Sequence, residues 1–199
     1  MLTRIMTGSL KRRTLLLPAG DVRPTREMVR KAMFDVLAGV FDGITVLDLF
    51  AGSGALGLEA LSAGCRAVTF VEKQPMCCRV IRENARRLQV ESQCRIVSGD
   101  AVRVMADLSR QRETFGVVFA DPPYAGDEAK KCLLALGACD IVSAPGLVVL
   151  EHHKSVALAP RCGSLILWQT KHYGDTNVSF YIYDAGQKTS PEEEIGEHA

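Results

Sequence analysis

A chain of 199 residues that is 47% apolar can bury one well-packed core with at most a small appendage. Seven cysteines without C-x-x-C spacing argue against a disulfide framework and a zinc ribbon, and fit free thiols in a reducing cytosol. The net charge of +1 hides an uneven spread: residues 1–40 hold eight Lys/Arg against three Asp/Glu, and residues 185–199 hold one Lys against four Glu. A basic N-terminal part on a near-neutral body suits a polyanionic partner. With no signal-peptide pattern and no apolar run near the ~20 residues of a membrane span, a cytoplasmic protein is expected.

The opening stretch MLTRIMTGSLKRRTLLLPAGDVRP reads as a basic arm, irregular or hairpin-forming, with RTLLLP a short strand stopped by Pro18. The spacing of Met28, Val29, Ala32, Met33, Val36, Leu37 and Val40 predicts a helix from about Arg26 to Gly39, with Thr25 as N-cap and Arg26, Arg30 and Lys31 on other faces. An alternation then begins. ITVLDLF is a buried strand, LGLEALSAG a helix closed by Gly64, AVTFVE a second strand, and PMCCRVIRENARRLQ a helix with Pro75 in its first turn. CRIVSGD is a third strand, AVRVMADLSR a helix, FGVVFADPPY a fourth strand with its exit loop, DEAKKCLLALGAC a helix and PGLVVLEHH a fifth strand. Repeated strand–helix units predict a mostly parallel, doubly wound sheet covered on both faces. The ending differs: SLILWQTKHYGDTNVSFYIYD is two alternating runs about the turn YGDT, an antiparallel hairpin. The expected fold class is α/β, Rossmann-like, in three parts: a basic arm at residues 1–24, an α/β domain at 25–184 and a disordered acidic tail at 185–199.

In a doubly wound sheet, ligands bind beyond the carboxyl ends of the strands. The loop after the first strand contains GSGALG, which is G-x-G-x-x-G, the dinucleotide fingerprint. Gly52, Gly54 and Gly57, helped by small Ala51 and Ser53, permit close backbone approach. Two features argue against NAD. Asp48 stands at the strand end, where it would repel a pyrophosphate and attract a cation, and no hydride-transfer domain follows. S-adenosylmethionine, with an ammonium, a sulfonium and no phosphate, suits Asp48 better. Glu72 ends the second strand twenty residues after Gly52 and can accept both ribose hydroxyls, or be a solvated strand-end Glu. Asp100 in SGDA can accept from an adenine amino group, cap a helix, or do both.

Asp121 to Tyr124 spell DPPY at the end of the fourth strand. An exocyclic base amine is a poor nucleophile because its lone pair is delocalised into the ring. Asp121 and the Pro122 carbonyl can accept its two N–H bonds, which points the lone pair at a methyl donor. Two prolines stiffen the turn, and Tyr124 can stack on an extruded base. No metal is signalled.

These residues resemble class I S-adenosylmethionine-dependent methyltransferases, and more closely the RsmD family of bacterial 16S ribosomal RNA guanine-N2 methyltransferases. The likeness runs from about Arg4 to Tyr183 through RPTREMVRKAMFDVL, VLDLFAGSGALGLEALSAG, FVEK, DPPY, VVLEHHK and KHYGDTNVSFY. It implies methyl transfer to N2 of one guanine in 16S rRNA of the small ribosomal subunit; apart from the resemblance, a monomer without metal is expected. It implies cofactor contacts at Asp48, Phe50, Gly52, Ser53, Gly54, Glu72, Lys73, Asp100 and Ala101. It assigns Asp121, Pro122 and Tyr124 to the target base, and Arg23, Thr25, Pro123, Tyr173, Asp175 and Thr176 to the substrate cleft. Arg4, Lys11, Arg12, Arg13, Arg23, Arg26 and Arg30 are the phosphate-contact candidates. Where family members often show Gly-Gly followed by Arg-Gly-Arg, this chain has TGSLKRR, which keeps the charge of the arm and changes its backbone. Two rivals remain open. DPPY also serves adenine-N6 methylation of DNA, although such enzymes usually carry a separate recognition region. The other is a non-catalytic cofactor-binding or ribosome-assembly module.

Overall fold

A computed structural model describes residues 2–18, 24–124 and 126–186, and the side chains of all of these except residues 24–26. The expected contacts of Arg23, Thr25 and Arg26, and residues 187–199 of the tail, lie outside the described residues and side chains. In chain order the elements are β1 (Leu2–Arg4), β2 (Thr14–Leu16), α1 (Pro24–Val36), β3 (Thr45–Leu49), α2 (Ala55–Ser62), β4 (Ala67–Glu72), α3 (Pro75–Leu88), β5 (Cys94–Ser98), α4 (Ala101–Arg110), β6 (Phe115–Ala120), α5 (Glu128–Ala138), β7 (Val142–His153), β8 (Arg161–Cys162), β9 (Leu165–Tyr173) and β10 (Thr176–Tyr183).

The large sheet has the order β5-β4-β3-β6-β7-β10-β9-β8. Strands β3 to β7 pair in parallel, while β10 runs antiparallel between β7 and β9. The chain moves outward from β3 through β4 to β5, then returns to the other side of β3 as β6. That reversal opens a crevice at the carboxyl ends of β3 and β6. Side chains alternate across the sheet with the period of a strand. Val46, Val117 and Phe119 face α1, α2 and α3, whereas Leu47, Val118 and Ala120 face α4 and α5. Both faces are covered, so the central strands are apolar runs.

Local chemistry sets the helix starts near the crevice. Asp100 caps α4, its Oδ1 accepting from the amides of Val102 (3.1 Å) and Arg103 (3.2 Å). Pro75 opens α3. Helix α1 starts at Pro24, so Thr25 lies inside the helix and not at its N-cap; proline fits a first helical turn. The two-residue β8 was not expected: it adds an outer edge to the C-terminal hairpin.

The first strands form an antiparallel hairpin that pairs Leu2–Arg4 with Thr14–Leu16. Its inward residues Ile5 and Leu15 belong to the same hydrophobic cluster as α1, α2 and α3. Its loop lies against the end of α2, with the Ser9 amide donating to the Ser62 carbonyl at 2.8 Å.

Candidate active site

Five strand ends, from β3, β4, β5, β6 and β7, surround a cavity of about 730 Å³. Each contributes an acid within two residues of its end: Asp48, Glu72, Asp100, Asp121 and Glu151. Phe50, Gly52, Ser53, Lys73 and Ala101 also border it.

The glycine loop is held by two of these acids. Glu72, almost fully buried, accepts from the Gly52 amide through Oε2 (2.8 Å) and from the Gln74 amide through Oε1 (2.7 Å). Asp48 Oδ2 accepts from the Gly57 amide at 2.9 Å, which fixes the first turn of α2 above the end of β3. Gly54 does not border the cavity. It turns the chain into α2 at φ +77°, a conformation that L side chains disfavour. Gly57 serves close packing, since a Cβ there would stand 2.4 Å from the Phe70 ring.

Burial, reinforced by the charges of Asp121 and Glu72, pushes the Asp48 carboxyl up to about 8, against the opposing pull of the Gly57 amide. A cation entering the cavity favours the charged form and draws that proton away. The carboxylate of Asp100 is committed to capping α4, as the alternative reading held, and it remains exposed at the cavity rim.

The DPPY turn forms the opposite wall, with Asp121, Pro122, Pro123 and Tyr124 all bordering the cavity. The Tyr124 hydroxyl donates to Glu151 Oε1 at 2.5 Å and lies 2.7 Å from Thr176 Oγ1. Burial and the Glu151 hydrogen bond raise the Tyr124 pKa above the ordinary phenol value. The ring is thereby held at its tip while 38% of the residue stays exposed. Thr176 is buried and acts on the tyrosine; Tyr173 packs against the core; Asp175 is exposed and pairs with Lys154 at 2.6 Å.

Of the basic residues, Arg4, Lys11, Arg12 and Arg13 are exposed on the hairpin, Arg13 also donating to the Arg87 carbonyl at 2.6 Å. Arg30 is a correction. It is 7% exposed, donates to Thr3 Oγ1 (3.0 Å) and the Arg4 carbonyl (2.8 Å), and lies 3.5 Å from Glu59. Burial lowers its pKa, against the opposing charges of Glu59 and Glu27. Its guanidinium fastens the hairpin, and the residue also borders the cavity.

Three buried polar residues went unnoticed in the sequence. Glu59 accepts from the Met6 and Thr7 amides at 2.8 and 2.6 Å. Asn84 bridges the hairpin to the glycine loop: its amide donates to the Leu16 and Ser53 carbonyls, both at 3.0 Å, and its oxygen accepts from the Leu16 amide at 2.7 Å. Glu151 is the partner of Tyr124. A signal existed for each. Glu59 interrupts the apolar run ALGLEALS, Asn84 sits on the buried face of α3 with Ile81 and Leu88, and Glu151 closes an apolar strand as Asp48 and Glu72 do.

Among the described residues no cluster of three or more His, Cys, Asp or Glu could hold a metal, and no helix is long and apolar enough to cross a membrane. The signature of a family described as conserved hypothetical protein 95 matches residues 3–182. The Bacillus subtilis (strain 168) protein YlbH is 33% identical over 179 residues, which are 89% of this chain and 97% of that one. Ribosomal RNA small subunit methyltransferase D of Haemophilus influenzae is 30% identical over 157 residues, 78% of this chain and 81% of that one. The solved structure of yhhF from Escherichia coli superposes with a TM-score of 0.81 at 28% identity, covering 93% of this chain and 99% of that one.

Proposed function

This chain belongs to the conserved hypothetical protein 95 family, the RsmD-like methyltransferases, and from that premise we propose that it moves a methyl group from S-adenosylmethionine to N2 of a guanine in 16S rRNA of the small ribosomal subunit. One observation carries the reading: the Asp121–Tyr124 turn opens onto the same cavity as Asp48, Glu72 and the glycine loop.

The donor set fits the cofactor. Glu72 is oriented by two backbone amides and retains lone pairs for ribose hydroxyls. Asp48 offers a buried carboxyl that ionises when a cation arrives, and Phe50 to Ser53 present backbone closely. Lys73 and Ala101 border the cavity beside Asp100, where they would flank the adenine. When bound, S-adenosylmethionine supplies a methyl group made electrophilic by its sulfonium.

The protein's part is to prepare the amine. Asp121 and the Pro122 carbonyl accept its two hydrogens, which localises the nitrogen lone pair and disperses the charge that develops there. A hydrogen bond to the charged Asp121 contributes about 1.5–3 kcal/mol. The Asp121 carboxylate can then hold the released proton before water takes it. Tyr124, fixed by Glu151 and Thr176, offers a stacking face worth about 1–3 kcal/mol to an extruded base. That is comparable to the few kcal/mol that extrusion costs. Arg4, Lys11, Arg12 and Arg13 give the hairpin its phosphate-binding face; Arg23 and Arg26 are further phosphate contacts, and Arg23 and Thr25 serve the substrate cleft. Pro123 and Tyr173 to Thr176 edge the cleft. In this reading residues 1–24 are the RNA arm, 25–184 the methyltransferase domain and 185–199 an acidic tail. The enzyme works as a monomer in the cytoplasm.

Incubation with labelled S-adenosylmethionine and small ribosomal subunits, naked 16S rRNA or DNA tests this. Label is expected in N2-methylguanine of rRNA, and Asp121→Ala is expected to lower transfer about 10²–10³-fold while binding S-adenosylhomocysteine normally. Label in DNA alone, or full activity in the variant, overturns it.

A further inference from the structure

The Arg30 guanidinium is held by the hairpin and yet is incompletely answered. Nη2 donates to Thr3 Oγ1 and to the Arg4 carbonyl, and Nη1 is outside both bonds. Nε is buried and has no hydrogen-bond partner among the described residues. Glu59 Oε2 stands 3.5 Å from it, but the Glu59 oxygens are taken up by the Met6 and Thr7 amides and the Thr7 hydroxyl. The contact between Arg30 and Glu59 is therefore an ion pair without a hydrogen bond. A buried charge matched so loosely calls for a reason. The cavity supplies one. Of the described residues that border it, six are acids and two, Arg30 and Lys73, are bases. An anionic group entering the cavity is repelled by most of the charged wall and drawn to these two side chains.

We propose that Arg30 binds the α-carboxylate at the amino-acid end of the cofactor. The inference rests on the methyl-transfer reading above, which gives S-adenosylmethionine this cavity. That reading uses Asp100 for the adenine side, Glu72 for the ribose and Asp48 for the cationic end, and it leaves the carboxylate without a partner. The fold puts Arg30 on the Asp48 side. Asp48 accepts from the Gly57 amide at 2.9 Å, and Glu59, two residues further along α2, is the acid beside Arg30. Met33, about one turn along α1 from Arg30, borders the cavity as well. Lys73 instead follows Glu72 at the end of β4, on the ribose side. The carboxylate and the ammonium of the cofactor share one carbon, so an ammonium that meets Asp48 brings the carboxylate toward Arg30. A guanidinium suits the task, being permanently charged, weakly hydrated and shaped for carboxylates. Arg30 holds the hairpin through Nη2 and has Nη1 for the cofactor.

Titration calorimetry of the full chain with two ligands tests this. One is S-adenosylhomocysteine. The other is S-adenosyl-3-thiopropylamine, which keeps the nucleoside, the thioether and the amine and lacks only the carboxylate. The wild type is expected to bind S-adenosylhomocysteine about 10- to 100-fold more tightly than the analogue. Arg30→Met is expected to shrink that preference to about threefold or less. The double variant Arg30→Met/Glu59→Leu removes both buried charges together, is expected to shrink it equally, and serves if the single variant does not fold. Lys73→Met is expected to keep the preference. Equal wild-type affinities for the two ligands overturn the proposal without any variant. So does a full preference in the folded Arg30 variants, which leaves Arg30 as a fastener of the hairpin only. Loss of the preference in Lys73→Met alone overturns it too, by moving the carboxylate to the β4 side. If the wild type binds neither ligand, the cofactor reading itself falls, and this inference with it.

Discussion

Replacing Glu59 with alanine strips a fully buried carboxylate from between α2 and the N-terminal hairpin. Oε1 accepts from the amides of Met6 and Thr7 and from the Thr7 hydroxyl (2.8 Å), and Oε2 lies 3.5 Å from Arg30 Nε. The side chains of Arg30 and Glu59 are 8% and 0% exposed. The alanine variant keeps the Arg30 bonds to Thr3 and the Arg4 carbonyl and leaves its buried charge with the more weakly acting Glu27 alone. Losing one member of a buried pair costs about 3–5 kcal/mol. The Met6 and Thr7 amides reach water once the hairpin lifts, so they add little. For a domain of this size each kcal/mol lowers Tm by about 2–4 °C, so the expected drop is about 6–20 °C. Calorimetry and urea unfolding of wild type, Glu59→Ala, Arg30→Met and the double variant Glu59→Leu/Arg30→Met measure it. The double variant should regain most of the loss, because apolar replacement of a buried pair is often neutral or stabilising. Proteolytic cutting within residues 2–18 should quicken in Glu59→Ala. Stability within about 1 kcal/mol of wild type, with the hairpin still protected, refutes the idea that this carboxylate fastens it.

Two further outcomes follow from the same geometry. Asp48 titrates near 8 when folded and near 3.8 as a free side chain, so its stabilising share is complete below the lower value and lost as pH rises through about 8. Asp48→Asn keeps an oxygen for the Gly57 amide and does not titrate; between pH 5 and 8 the cofactor-free wild type is expected to lose about 2–4 kcal/mol relative to it by urea unfolding. Parallel pH profiles refute this. On the arm, Arg4→Ala, Lys11→Ala and Arg12→Ala are each expected to reduce the log–log salt slope of 16S rRNA binding by about 0.7, measured by anisotropy, whereas Arg30→Ala lowers Tm. A slope untouched by the triple variant removes the hairpin as an RNA anchor.

The strand–helix order and the terminal hairpin were legible because buried parallel strands are short apolar runs between turn residues. The acids at strand ends were legible for a related reason: Asp48, Glu72, Asp100 and Asp121 each stand where an apolar run stops. Helical faces were less reliable. Arg30 looks solvent-facing on α1 by its spacing alone, and only Glu59 on another helix draws it inward. The position of β8 was hidden because two residues carry no periodicity.

What remained illegible was long-range pairing. Glu59 meets Met6 across 53 positions, Asn84 meets Leu16 across 68, and Tyr124 meets Glu151 across 27. Each of these contacts fastens a part of the candidate machinery to the sheet and its helices: the basic hairpin, the glycine loop, or the base platform. Asn84 does two of these tasks at once, since one amide nitrogen donates to both the hairpin and the Ser53 carbonyl of the glycine loop. The hairpin and the glycine loop therefore share a single buried support. A polar residue sealed within an apolar helix face has to find its partners somewhere in the fold. In this chain those partners are the segments that local sequence patterns describe least well.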